Sequence, residues 1–203
     1  MSKNLIIVFE GIEGTGKSYH INKVSNYLKK KNKKFIQIRE PGGTLNSEKI
    51  RRLILNNKST FNKYTDLLLY LSARSENIDL IRNNMGKKII LIDRFSDSTI
   101  AYQHYGMGVN LDFIKYINDF LLKGIKVDFT FLNTVSKKNM KDRLMKRKNL
   151  NRYDKFNYDF YSKVQKGFIK ILKKNPKKYT QVNSNLSIKK NEKIILDKIN
   201  DLI

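Results

Sequence analysis

Short apolar segments alternate with longer amphipathic ones along the chain. The short segments predict strands over residues 5–10, 34–38, 88–92, 127–132 and 179–182. Two stretches, 5–9 and 89–92, are continuously apolar, which is typical of parallel strands buried on both faces of a sheet. The pattern therefore favours a parallel sheet at the centre of the fold.

The amphipathic segments between the strands have the spacing of helices. In the first of them, Ile21, Val24 and Leu28 share one helical face. Helices that separate parallel strands indicate a doubly wound α/β fold, here a five-stranded sheet flanked by helices. No long linker or repeat interrupts the sequence, so we expect a single domain over residues 1–203. The predicted helices cover residues 17–31, 47–55, 65–84, 96–105, 111–122, 136–146, 155–174 and 188–203.

Composition narrows the class of protein. No apolar run approaches the roughly 18 residues that a membrane span needs, and the first residues lead into a strand without the pattern of a cleavable signal. The chain has no cysteine, which excludes disulfides and cysteine-ligated metals. We therefore expect a cytoplasmic protein with no membrane partner.

The charge is strongly unbalanced, with 42 Lys and Arg against 18 Asp and Glu and a net charge of +24. Such a charge attracts polyanions, including nucleic acids and phosphorylated small molecules. However, basic and aromatic residues do not alternate in one block, and several lysine runs fall at predicted helix ends, where they suit the helix dipole. We expect no specific nucleic-acid partner.

The strongest motif is Gly-Ile-Glu-Gly-Thr-Gly-Lys-Ser at residues 11–18, between the first predicted strand and the first predicted helix. In that context the pattern predicts the phosphate-binding loop of a P-loop NTPase. The glycines let backbone N–H groups surround a phosphate. Lys17 would reach the β- and γ-phosphates of ATP, and Ser18 would hold Mg²⁺. The predicted nucleotide contacts in the loop are Gly11, Ile12, Glu13, Gly14, Thr15, Gly16, Lys17 and Ser18.

Asp93 follows the apolar run at 88–92. A carboxylate at the end of such a strand can enter the Mg²⁺ shell, as the Walker-B residue of P-loop proteins does. The alternative is that Asp93 caps the next helix, although Arg94 directly after it makes capping alone a poor explanation.

Four motifs, in order, carry a resemblance to one family. They are Phe-Glu-Gly-Ile-Glu-Gly-Thr-Gly-Lys-Ser at 9–18, Arg-Glu-Pro-Gly-Gly-Thr at 39–44, Leu-Tyr-Leu-Ser-Ala-Arg at 69–74, and Asp-Arg-Phe at 93–95 with Ser98, Ala101, Tyr102 and Gln103. Over nearly its full length the chain resembles thymidylate kinases, which are P-loop NTPases of the nucleoside monophosphate kinase type. The resemblance implies ATP and Mg²⁺ as cofactors, dTMP as the acceptor and a homodimer.

The resemblance also implies a role for each matching residue around dTMP. Glu13 would contact the sugar 3′-hydroxyl and the water shell of the metal. Arg51 and Arg94 would hold the monophosphate, which suits the planar fork of a guanidinium group. Tyr70 would stack on thymine, and Arg74, on the same helical face, would hydrogen-bond the base edge.

Further implied substrate contacts lie on neighbouring segments. Ser98 would meet the polar edge of the base, Tyr102 would pack under the deoxyribose, and Pro41 stands where the family has a cis peptide. Thr99 and Gln103 line the same helix as Ser98 and Tyr102.

The lid is expected at about residues 143–155. Gly14 occupies the P-loop position that carries an arginine in one branch of the family, so the resemblance is to the bacterial-type branch, in which lid arginines act instead. A lid arginine stabilises charge on the transferred phosphoryl group and excludes water. Arg152 is the preferred candidate and Arg147 the second, whereas Arg143 would face the ATP phosphates; a solvated basic loop is the alternative. The predicted catalytic set is Glu13, Lys17, Arg94, Arg147 and Arg152.

The predicted activity is transfer of the γ-phosphoryl group of ATP to dTMP, giving dTDP for dTTP synthesis. One alternative is another deoxynucleotide or deoxynucleoside kinase; a nucleoside kinase would need a carboxylate base against the 5′-hydroxyl. The other is a basic P-loop nucleic-acid-binding protein, which has only the charge in its support.

Overall fold

The computed structural model describes residues 5–148 and 150–203, and these contain one parallel five-stranded sheet. Its strands lie in the order β2-β3-β1-β4-β5, and every neighbouring pair is parallel. The predicted doubly wound sheet is therefore confirmed, and no strand boundary differs by more than two residues from its prediction. The strands are β1 (Ile6–Gly11), β2 (Phe35–Arg39), β3 (Ile89–Asp93), β4 (Phe129–Thr134) and β5 (Tyr179–Asn183).

Helices connect the strands and cover both faces of the sheet. They are α1 (Lys17–Lys30), α2 (Leu45–Leu55), α3 (Lys63–Asn84), α4 (Ser96–Thr99), α5 (Leu111–Leu121), α6 (Lys137–Met145), α7 (Tyr158–Lys174) and α8 (Ile188–Leu202). Side-chain caps fix where two of them begin. Thr44 accepts the N–H of Ser47 before α2, and Asn62 accepts two N–H groups before α3. Both helices consequently begin two residues earlier than predicted.

The predicted helix over 96–105 is a single turn, α4, that continues into a π-helical segment, Ile100–Gly106. We call this stretch the π segment. Helix α7 packs against it closely because each side carries a glycine at the contact. A Cβ on Gly106 would lie 2.6 Å from the Phe160 ring, and one on Gly167 would lie 2.5 Å from the Tyr105 ring.

The predicted helix over 155–174 begins instead at Tyr158, because Asn157 accepts the N–H of Phe160 and caps α7 there. The residues before it form a short 3₁₀ turn, Arg152–Lys155. Asn151 and Asp154 cap this turn reciprocally, the Asp154 carboxylate accepting the N–H of Asn151 at 2.9 Å.

The core lies on both faces of the sheet because side chains alternate along each strand. On β1, Ile7 and Phe9 pack towards α1 and α8, whereas Ile6 and Val8 pack towards α3. Within the described ranges, no helix is long and apolar enough to cross a membrane.

The carboxyl ends of β1 and β3 lie side by side, since Phe9 pairs with Asp93 in the sheet register. Ligands of open parallel sheets bind at this edge, where strand order reverses. The fold therefore brings the glycine-rich loop after β1 next to the residues that follow β3.

Candidate active site

The loop between β1 and α1 takes the conformation that its glycines allow. Gly14 and Gly16 have φ of 72° and 80°, in the region that favours glycine. Gly11 has φ 136°, and a Cβ there would lie 2.2 Å from the carbonyl oxygen of Asn133 on β4. The loop thus presents the N-terminus of α1 to the edge of the sheet.

Lys17 is nearly buried and folds back over this loop. Its Nζ donates to the carbonyls of Gly11 and Ile12 at 2.8 and 3.0 Å. Burial, followed by the nearby charge of Arg94, lowers the pKa of Lys17 to about 8. A bound phosphate would raise this pKa again, so Lys17 is placed to respond to an anion in the loop.

Gly11 and Ile12 do not line the cavity, and their contact with a nucleotide stays a prediction. Gly11 is the last residue of β1 and is paired with Asn133. The Ile12 side chain is buried in an apolar cluster that includes Leu132 and Met140. Both residues act on the loop through the carbonyls that hold Lys17.

Ser18 and Asp93 converge at the first turn of α1, with Ser18 Oγ 3.3 Å from Asp93 Oδ2. The alternative that Asp93 caps α4 is wrong. The N–H groups of Phe95 and Ser98, at the start of α4, are instead accepted by Glu10 Oε1 at 2.8 and 3.2 Å. A hydroxyl and a carboxylate at this place are suitable ligands for Mg²⁺.

Glu13 is bound by two side chains that come from the segment after β3. Arg94 Nη2 lies 2.8 Å from Glu13 Oε1, and the Tyr102 hydroxyl donates to Glu13 Oε2 at 2.5 Å. The guanidinium of Arg94 also lies 5.0 Å from the Tyr102 ring centre. Arg94 adopts φ 67°, a conformation that turns its side chain into the site. The carboxylate in the P-loop is thus neutralised within the protein.

Ser98 lines the cavity, and its hydroxyl is already hydrogen-bonded to Glu10 at the end of β1. Ser98 Oγ lies 2.5 Å from Glu10 Oε2, and Arg94 Nη1 lies 3.4 Å from Ser98 Oγ. Glu10 is fully buried, and burial, followed by repulsion from Asp97, raises its pKa to about 8. The buried Glu10 thus holds the Ser98 hydroxyl in place, and the contact of Ser98 with the base edge stays a prediction.

Arg51 is the half-buried member of the Arg51–Arg52 pair and lines the cavity, whereas Arg52 is exposed outside it. Its Nη1 donates to the carbonyl of Pro41 at 2.6 Å, and the Glu40–Pro41 peptide is cis. Burial, followed by Arg39, lowers the pKa of Arg51. This crowding of positive groups favours binding of an anion.

Tyr70 and Arg74 both line the far end of the cavity from α3, one helical turn apart. Tyr70 packs edge-on against Tyr153, with ring centres 5.9 Å apart. Arg74 is buried and donates from Nε to Glu40 at 2.8 Å and from Nη1 to Asn118 at 2.7 Å. The protein thus fixes the orientation of the Arg74 guanidinium before any base arrives.

Two further predicted contacts, Thr99 and Gln103, are buried and line the same end. No partner within the described residues reaches the Thr99 hydroxyl. Gln103 Nε2 donates to Asp66 Oδ2 at 3.1 Å and lies 3.4 Å from the Tyr153 hydroxyl.

The three lid arginines have different surroundings. Arg143 lines the cavity and donates to the carbonyls of Gly14 and Ser184 at 2.8 and 2.7 Å. Arg147 lines it too and pairs with Asp154.

Arg152, the preferred catalytic candidate, lies away from the cavity in this structure, and its catalytic role stays a prediction. Its Nη2 pairs with buried Asp66, its Nε donates to the carbonyl of Ile54 at 3.0 Å, and it does not line the cavity. The two rings beside its guanidinium, Phe61 and Tyr153, enclose this pair further. Asp66 needs a counter-charge because it is buried, and Arg152 supplies it.

These groups surround one cavity of about 420 Å³, which runs from the P-loop to Tyr70. Its P-loop end carries Lys17 and Ser18, and its middle carries Arg51 and Arg94. A phosphate loop facing a second cluster of arginines is an arrangement for two phosphorylated substrates. Fold and site therefore define a P-loop nucleotide kinase.

Comparisons with known proteins agree with this assignment to the nucleotide kinases. The family model described as Thymidylate kinase matches residues 9–195. The thymidylate kinase of Thermosipho africanus is 40% identical over 171 residues, which cover 83% of this chain and 85% of that protein. That of Staphylococcus epidermidis is 37% identical over 187 residues, 91% of each. The crystal structure of thymidylate kinase from Ehrlichia chaffeensis superposes with a TM-score of 0.78 at 32% identity and covers 99% of both chains. The chain belongs to the thymidylate kinase family.

Reasoning from the sequence missed several residues that shape the site, among them Glu10, Glu40, Asp66 and Tyr153. Glu10 gives the clearest signal that could have found it, since it is a charged residue in an otherwise apolar buried strand. Asp66 gives only a weak signal. An acidic residue in the first turn of a helix is common, because its charge interacts favourably with the helix dipole.

Proposed function

We propose that this protein transfers the γ-phosphoryl group of ATP to the 5′-phosphate of dTMP, giving dTDP and ADP for dTTP synthesis. The observation that carries the proposal is a single cavity that joins Lys17 and Ser18 at the P-loop to Arg94 and Tyr70 at the acceptor end. Family membership over residues 9–195 supports the same acceptor.

The reaction needs no general base, because the attacking oxygen of the dTMP phosphate is already anionic. The protein contributes alignment and neutralisation of charge. Arg51 and Arg94 would bind the acceptor phosphate, and Lys17 would bind the β- and γ-phosphates of ATP. Arg143 and Arg147, which line the lid side of the cavity, would complete the positive surround.

We propose Mg²⁺ as the metal cofactor, held by Ser18 and Asp93, whose oxygens lie 3.3 Å apart. Mg²⁺ usually takes one or two protein ligands together with phosphate oxygens. Across residues 5–148 and 150–203, no group of three or more His, Cys, Asp or Glu side chains offers a larger metal site. When bound, the ion would neutralise charge on the β- and γ-phosphates.

At the acceptor end, Tyr70 would stack on the base and Gln103 and Arg74 would face its polar edge. Tyr102 would lie under the deoxyribose, and its hydroxyl would keep Glu13 in place beside the sugar. Thr99, whose hydroxyl has no protein partner in the described residues, is a further candidate for the base edge.

The test is a coupled assay of ADP release with ATP and Mg²⁺ against dTMP, thymidine, dCMP, dGMP and dUMP. We expect turnover with dTMP and none with thymidine, since a nucleoside lacks the phosphate that Arg51 and Arg94 would bind. Turnover of thymidine without dTMP would replace the proposal with a nucleoside kinase. Salt-sensitive binding of DNA without any turnover would replace it with a nucleic-acid-binding function.

The homodimer expected from the resemblance also stays a proposal, and an exposed apolar face supports it. On α5, Tyr116 and Phe120 are 74% and 75% exposed, next to Phe113 on the same side of the helix. Leu68, half exposed on the adjacent α3, extends this face. Large exposed apolar faces of this kind favour an interface.

Sedimentation equilibrium tests the dimer. We expect twice the monomer mass for the native protein and a monomer for Phe120→Glu. The matched control is Leu45→Glu, which changes an equally exposed residue on α2 and should leave the dimer intact. A native protein that sediments as a monomer contradicts the proposal.

We further propose that residues 1–203 work as one kinase domain whose lid lies at about 143–155. A cytoplasmic location is proposed as well, because ATP and dTMP are available there. Limited proteolysis in the presence and absence of nucleotide tests the lid, since a closed lid should be protected from cleavage.

A further inference from the structure

Asp66 lies outside the phosphate machinery, yet it joins three parts of the site. It stands in the first turn of α3, is 1% exposed, and lies one turn before Tyr70. Its carboxylate accepts from Arg152, from the Tyr153 hydroxyl and from Gln103 Nε2. One buried carboxylate thus contacts the 3₁₀ turn of the lid and the π segment.

The contact with Gln103 fixes which end of its amide faces the cavity. Nε2 donates to Asp66 Oδ2 at 3.1 Å and has the Tyr153 hydroxyl oxygen at 3.4 Å. Gln103 is buried and lines the cavity, and within the described residues both hydrogen bonds of its side chain run from Nε2, which leaves Oε1 for a ligand. The amide therefore offers an acceptor, not a donor, to a ligand at this end.

An acceptor at this position selects among pyrimidine rings. Thymine has an N–H donor at N3, whereas cytosine has an acceptor there. Two acceptors brought together in a buried site would each lack a partner, which costs binding free energy.

We propose that Asp66 is a positioning residue. It orients the Gln103 amide so that Oε1 can accept a hydrogen bond from a base with a ring N–H donor, and through Arg152 it also docks the lid on α3. The inference rests on the proposed dTMP kinase activity. It adds that base selection depends on a carboxylate that contacts the base only through Gln103.

The first test compares kcat/KM for dTMP and for dCMP in Asp66→Asn. An amide at position 66 can donate as well as accept, so Nε2 of Gln103 no longer has to point towards it. The Gln103 amide can then rotate and present either Nε2 or Oε1 to the base. We expect the preference for dTMP over dCMP to fall by about tenfold or more. Asp79→Asn is the matched control, because Asp79 is an exposed residue on the same helix and loses the same charge.

The second test is a rescue. Gln103→Glu alone places two carboxylates together. In the double variant, Asp66→Asn with Gln103→Glu, the new amide at position 66 donates to the new carboxylate at position 103, so one hydrogen bond is restored with its direction reversed. We expect kcat/KM for dTMP in the double variant to exceed that of Gln103→Glu by about tenfold. Strictly additive losses would overturn the proposal.

Asp66→Glu is the second variant if Asp66→Asn does not fold. It keeps the charge but moves the carboxylate by one methylene, and the dTMP preference should fall while thermal stability stays measurable. An unchanged dTMP preference in whichever variant folds overturns the proposal. A native protein that does not phosphorylate dTMP overturns the proposed function instead, so the two failures are distinguishable.

Discussion

Arg147 and Asp154 face each other across the lid, and Nη1 of the arginine lies 2.7 and 2.9 Å from the two carboxylate oxygens. The two partners differ in exposure, since the Asp154 side chain is fully buried and that of Arg147 is 47% exposed. Asp154 is also fixed by the N–H of Asn151. Arg147 is therefore the member of the pair that can move towards a phosphate in the cavity.

Arg147→Ala should lower kcat by about 10³-fold, the order of magnitude by which a single arginine stabilises a transferred phosphoryl group. The KM for dTMP should change much less, because the loss falls on the transition state. Steady-state rates with both substrates varied measure this split.

Lys148→Ala is the control for Arg147, because it removes an equal charge from an exposed lid position outside the cavity. Its kcat should stay within about twofold of the native value. Near-native turnover of Arg147→Ala would move the catalytic role to Arg143.

Arg152→Ala should act chiefly on stability. It leaves Asp66 buried without its counter-charge, and breaking such a pair costs about 3 kcal/mol or more in the free energy of unfolding. Urea denaturation at pH 7 measures the loss. Arg52→Ala, which removes an exposed arginine from α2, should cost less than about 0.5 kcal/mol. Equal midpoints for the two variants would show that the Arg152–Asp66 pair contributes nothing.

The placement of Arg152 also shows what the sequence can predict. The sheet and the P-loop follow from local signals, namely continuous apolar runs and glycines at fixed spacing. Arg152 and Asp66 are 86 residues apart, and so no local pattern links them. Ser98 and Glu10 are 88 residues apart, and only the fold reveals that the Ser98 hydroxyl is engaged. Motifs thus predicted residues that line the cavity, but not which of their polar groups are already hydrogen-bonded within the protein.

Glu10 should make stability depend on pH. Its pKa is raised from 4.5 to about 8, first by burial, so the native state keeps a proton that the unfolded state releases between these values. The stability contributed by protonated Glu10 is fully present below pH 4.5 and is lost as the pH rises through about 8. Relative to Glu10→Gln, the native protein should lose about 3 kcal/mol of unfolding free energy from about pH 5 to about pH 8.

Chemical denaturation of both proteins at several pH values measures this difference. Asp79→Asn is the control, since Asp79 is exposed and its curve should run parallel to that of the native protein. If the unfolding free energy of Glu10→Gln also runs parallel to that of the native protein across this pH range, Glu10 is ionised throughout it.

Lys17 should make ATP capture sensitive to alkaline pH. Burial and then Arg94 lower its pKa to about 8, so the free enzyme loses this positive charge at a pH where an ordinary lysine keeps it. We expect kcat/KM for ATP to fall above about pH 8, approaching tenfold per pH unit, because this quantity reports groups of the free enzyme. At saturating ATP the bound phosphates raise the pKa, and kcat should stay level to a higher pH.

An unfolding experiment checks the same group without substrates. Because the native pKa of Lys17 lies below the unfolded value of 10.5, the unfolded state binds more protons between about pH 8 and 10.5. The stability of the native protein relative to Lys17→Met should therefore rise with pH across this window. If kcat/KM for ATP stays flat to about pH 9.5 and the two unfolding curves run parallel, Lys17 keeps an ordinary pKa, and its contacts with the Gly11 and Ile12 carbonyls compensate for its burial.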